Sequence, residues 1–125
     1  MFPTYLAVVV IIAFLMVRVL QRNSKNISPL NYRIRSFFVG VLLANSIPHF
    51  IHGVSGENFP APFGYLLGPG IPTVISNVIW GIINFTIAYY FYMSLNERRF
   101  EKSFRILILS GFTVTSIVLS IIFSR

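Results

Sequence analysis

Four long stretches of this chain, about residues 3–20, 36–52, 72–95 and 106–124, are mainly apolar and free of charge in their interiors. The first has no charged residue before Arg18. A helix needs about 20 such residues to cross a hydrocarbon layer, and each run is too long to be a strand. Composition argues against a soluble alternative. Charged residues make up 10% of the chain and mean hydropathy is +0.76, whereas a soluble domain carries about 25% charged residues to face water. Lipid must cover the apolar surface instead. The expected fold is all-α: a polytopic membrane protein, a four-transmembrane-helix bundle forming one integral membrane domain over residues 1–125.

The basic residues orient this bundle. Arg18, Arg22, Lys25, Arg33 and Arg35 follow the first run, and Arg98, Arg99, Lys102 and Arg105 separate the third from the fourth. Of the ten basic residues only Arg125 lies elsewhere. Cytoplasmic loops hold an excess of Lys and Arg, so both termini are expected on the non-cytoplasmic side of a cell or inner membrane. The first run has its charges after the apolar stretch, not before it, which reads as a retained anchor rather than a signal peptide. This asymmetry accounts for the net charge of +7 without a nucleic-acid partner. The aromatic residues Tyr32, Phe37, Phe38 and Tyr89 to Tyr92 sit where interfacial rings are expected.

Between the second and third runs, the segment 53–71 gathers Gly53, Gly56, Gly64, Gly68 and Gly70 with Pro60, Pro62 and Pro69. Such residues break helices and strands. Phe59, Phe63, Tyr65, Leu66 and Leu67 are unneeded in a solvated linker, so the loop is expected either to pack on the bundle end or to form a lid or re-entrant element.

Polar residues inside the apolar runs mark a candidate site. Asn45, His49 and His52 are spaced i, i+4, i+7 and share one helix face. Pro48 among them frees the Ala44 carbonyl, and Gly53 suits a helix stop. On the third run Asn77, Gly81, Asn84 and Ala88 form a second stripe bordered by Trp80. The depths match, His49 with Asn77 and Asn45 with Asn84, so these two spans are expected to pack together. The candidate ligand-binding residues are Asn45, His49, His52, Asn77, Trp80 and Asn84. Amides and imidazoles can lock helices to one another or mark a ligand or proton path.

Metal and cofactor chemistry find little support in this sequence. Two histidines fall short of the three or four ligands of a zinc site, Glu57 is the one carboxylate nearby, and the chain has no cysteine. Histidines at i, i+3 cannot ligate opposite faces of a haem iron. Nucleotide-binding and hydrolase signatures are absent, and no cofactor is expected. Thr113, Ser116, Ser120 and Ser124 on the fourth run, and Gly40 with Ala44 on the second, read as helix-packing faces. Glu97 and Glu101 are expected in local ion pairs.

Three functions fit. The first is binding or passage of a small polar solute, ion or proton at the polar site. The second is a structural or accessory subunit of a larger membrane complex. The third, a lipid-modifying enzyme with His49 as base, lacks a partnering acid. Four short helices enclose little volume, so a homo-oligomer or a larger assembly is the expected partner state, with the lipid bilayer as solvent.

Overall fold

The computed structural model describes residues 7, 10–15, 18, 27–60 and 73–124. Helix α1 spans Pro29–Val54, α2 spans Thr73–Ser94, and α3 spans Lys102–Phe123, with a short 3-10 helix Asn96–Phe100 before α3. All three α-helices are long and apolar enough to cross a membrane. The expected first span, 3–20, lies largely outside the described residues; residues 7, 10–15 and 18 within it are helical. Most of the 53–71 loop, from residue 61 onward, also lies outside them.

Helix α1 begins seven residues before the apolar run does. Ser28 has extended backbone and its hydroxyl accepts from the Asn31 amide at 3.2 Å, with Pro29 in the first turn. Serine at the cap and proline just inside it start a helix whatever the hydropathy of the residues that follow. Arg33 and Arg35 are thereby helical. At the other end α1 runs past Gly53, which is buried, to Val54. The terminating glycine is Gly56, whose φ of +73° reverses the chain as a side-chain-bearing residue rarely does.

Helix α1 is the centre of the assembly, packing on α2 along one face and on α3 along another. The α1–α3 crossing is made by backbone. A Cβ added to Gly40 would fall on the Ile108 carbonyl oxygen and 2.6 Å from the Phe112 amide; one added to Gly111 would fall on the Phe37 carbonyl oxygen. Small residues let membrane helices approach this closely. The serine and threonine stripe of α3 lies at the edge of the packing face: Thr113, Ser120 and Ser124 are exposed and Ser116 is half-buried, and Ser116 and Ser120 border a cavity against Ala44 and Pro48 of α1. Ser116 and Ser124 return their hydroxyls to carbonyls of their own helix.

At the basic end a small core forms around Tyr32, Val39, Leu95 and Phe104. Tyr32 is a core residue, 2% exposed, and not the interfacial ring its position suggested. Its hydroxyl donates to the Arg98 carbonyl at 3.3 Å and lies 2.9 Å from Ser103 Oγ, and the Arg98 guanidinium lies 3.8 Å above its ring. Glu101 pairs with Arg98 at 3.1 Å.

Candidate functional site

The α1–α2 crossing carries a polar ladder. At its deepest rung Asn45 Nδ2 donates to Asn84 Oδ1 at 3.1 Å, and Asn84 Nδ2 donates to the Trp80 carbonyl at 2.8 Å. Next along α1, Ser46 Oγ donates to the Gly81 carbonyl at 2.8 Å, three residues before Asn84 on α2. Above that, His49 Nδ1 meets Asn77 Oδ1 at 2.7 Å. Asn77 Nδ2 in turn donates to the Phe59 carbonyl at 2.6 Å. That last bond favours one His49 tautomer. With the amide nitrogen directed at a carbonyl, Asn77 presents its oxygen to His49, so the Nδ1 of His49 carries the proton. His49, Asn77 and Asn84 are all buried.

Phe59 joins the ladder to the loop. After Gly56 reverses the chain, the Glu57 amide bonds the His52 carbonyl at 2.9 Å. The Glu57 carboxylate reaches His52 Nδ1 at 2.7 Å. Residues 57–60 therefore lie against the end of α1. The Phe59 ring stacks on His52 at 4.4 Å and meets His49 edge-on at 5.1 Å. Its other side contacts Phe123 at 4.7 Å, near the end of α3. One aromatic side chain thus touches both histidines and the third helix.

Of the six residues singled out by spacing, five belong to the ladder itself. Asn45 pairs with Asn84 and His49 with Asn77, while Trp80 supplies a carbonyl and sits edge-on to His49 at 6.4 Å. His52 stands apart: it points to the rim, where it and Glu57 stay partly exposed. Sequence reasoning gave Ser46 no role, because one serine in an apolar run carries no periodic signal. It noted Phe59 only as an apolar residue out of place in a loop.

Among the described residues, cavities of about 410, 320 and 260 Å³ flank the helices. The largest of these is a groove between α1 and α2 lined by Ile47, Phe50, Ile51, Ile82 and Phe85, with Ser46 and Gly81 also in its wall. None of the three includes Asn45, His49, Asn77 or Asn84 in its wall. Among the described residues no group of three or more His, Cys, Asp or Glu is placed to hold a metal ion.

The polar ladder is a set of mutually bonded side chains bordered by apolar grooves, and its chemistry is that of a clamp. No protein-family model, curated protein or solved structure matches this chain, so its functional reading rests on the clamp.

Proposed function

We propose that this chain is a structural or accessory subunit of a membrane assembly, in which the polar ladder locks α1 to α2 and pins the start of the Gly/Pro-rich loop. One observation carries this reading. Asn45, Asn84, Asn77 and the His49 Nδ1 bond one another or a backbone carbonyl, and the groove beside them is lined almost wholly by carbon. In hydrocarbon such bonds replace the hydrophobic effect, which cannot hold one apolar helix to another. The proposal includes a four-span topology with residues 3–20 as the first span, basic loops in the cytoplasm and both termini on the opposite side. The charge asymmetry supports that orientation.

A second reading, binding or passage of a proton or small polar solute, is favoured by the rim. His52 and Glu57 are partly exposed, and the Phe59 ring links them to the buried His49. Purified protein in liposomes with a trapped pH-sensitive dye separates the two. The clamp reading expects proton leak equal to that of protein-free liposomes and a stoichiometric partner chain on purification from native membranes. A leak that His49→Ala abolishes, in a variant that still purifies as a folded species, overturns the clamp reading in favour of the second.

A further inference from the structure

The basic end contains a buried cation for which the described residues show no acidic partner. Arg35 lies on the α1 face that packs into the bundle and is 7% exposed. Its Nη1 has no solvent access and no hydrogen-bond partner. A guanidinium stays protonated at any physiological pH. Burying part of a cation without an acceptor is strongly unfavourable, so an acceptor is called for.

The chain holds three acidic residues in all, Glu57, Glu97 and Glu101. Glu57 is at the opposite end, bonded to His52, and Glu101 is taken by Arg98. Glu97 is exposed on the 3-10 helix. Arg99, at the same end, also has a buried and unpartnered Nε, with its guanidinium against the Tyr92 and Phe100 rings. Arg98, Lys102 and Arg105 add further positive charge at this end of the chain.

We propose that Arg35 is the anchor of an anion site at the basic end of the bundle, and that its ligand is a phosphate group. A planar guanidinium suits two parallel bonds to phosphate oxygens. Arg35 lies six residues into α1, about 9 Å from its first turn. That is a depth a headgroup phosphate reaches if the helices span a bilayer. A lipid source for the phosphate therefore rests on the membrane reading above; the anion site itself does not.

The experiment uses the full chain purified in detergent and follows thermal unfolding during titration. The probes are phosphatidylglycerol, phosphatidylcholine and inorganic phosphate. Wild-type protein is expected to be stabilised by phosphatidylglycerol and not by phosphatidylcholine. Arg35→Gln should weaken that response about tenfold, the scale of one lost charge-assisted bond. Arg33→Gln removes the same charge from an exposed position two residues away and should leave the response unchanged. If Arg35→Gln does not fold, Arg35→Lys replaces it, keeping the charge and losing the fork. An Arg35-dependent response to inorganic phosphate alone assigns the site to soluble phosphate. Equal losses in the Arg33 and Arg35 variants, or no response to either anionic probe, overturn the proposal. Retention of the chain in carbonate-washed membranes, scored separately, tests the membrane reading and leaves the site's own outcome intact.

Discussion

Helix α1 is held by its two neighbours in two different ways. Against α2 it uses side chains: Asn45, Ser46 and His49 each bond across the crossing. Against α3, beyond the Tyr32–Ser103 contact at the basic end, it relies on Gly40 and Gly111 to let the two backbones touch, and at the α2 crossing Gly53 and Gly81 bring the helices nearly as close. The first contact is directional and fixes register, because an asparagine displaced by one turn has no partner. The second gains from dispersion over a tight surface and tolerates no added carbon. Together they show how a small helical bundle can be specified with few buried apolar residues.

The largest effect is expected at the glycine crossing. Gly40→Leu forces α1 and α3 apart, a cost of about 1–3 kcal/mol or more, read as a lower melting temperature in detergent. Trp80, the single tryptophan, reports on the other crossing, so its fluorescence should stay unchanged. If the Trp80 signal shifts as much as the melting temperature falls, the two crossings are not independent.

At the polar crossing the pattern reverses. Asn77→Leu leaves both the His49 Nδ1 and the Phe59 carbonyl without their partner, and a buried group stripped of its bond costs about 1–3 kcal/mol. Trp80 fluorescence should change, and a protease should cut the Gly/Pro-rich loop faster. A smaller effect belongs to the deepest rung. A double-mutant cycle over Asn45→Ala and Asn84→Ala should give a coupling of about 0.6 kcal/mol and at most about 1.7, the range for hydrogen bonds between membrane helices. Coupling indistinguishable from zero would remove that rung from the clamp.

The smallest effect lies outside both crossings. Glu101 is held below the ordinary carboxylate range, chiefly by its hydrogen bond from Arg98. A depressed carboxylate contributes stability above its unfolded pKa and loses it as pH falls through the folded value. The melting temperature should therefore decline slightly on acidification below the ordinary carboxylate range. Glu101→Gln should flatten that decline with little change at neutral pH. An unchanged acid slope in Glu101→Gln would assign the decline to other groups.

The α1–α2 crossing was legible because its signal is periodic: asparagine and histidine at helical spacing, at equal depths on two runs. The α1–α3 crossing was half legible. Gly40 stood out beside Ala44, but Gly111 was hidden behind the more regular serine stripe, which only borders the crossing through Ser116 and Ser120. Helix ends were read from charge, and charge misleads where a cap is present. Ser28 and Pro29 start α1 well before its apolar run, bringing Arg35 into the bundle. Phe59 and Tyr32 have no local signature; their roles depend on a chain reversal at Gly56 and on helices distant in sequence. Whether the ladder takes a ligand was not a question that spacing could answer.

The register of α1 on α2 within a membrane is the claim on which the clamp depends, and the cysteine-free chain allows a direct test. A Cβ at Gly81 would lie 2.9 Å from the Phe50 Cβ, closer than the roughly 3.5–4.5 Å that a disulfide spans, so the crossing widens slightly to form the bond. The pair Phe50→Cys and Gly81→Cys, with a protease site inserted between residues 61 and 70, is oxidised in carbonate-washed membranes and then cleaved. The two halves should stay joined on a non-reducing gel. With Phe50→Cys and Tyr89→Cys, eight residues and about 12 Å further along the helix, they should separate. Halves that separate in the first pair, or join equally in both, would contradict the account.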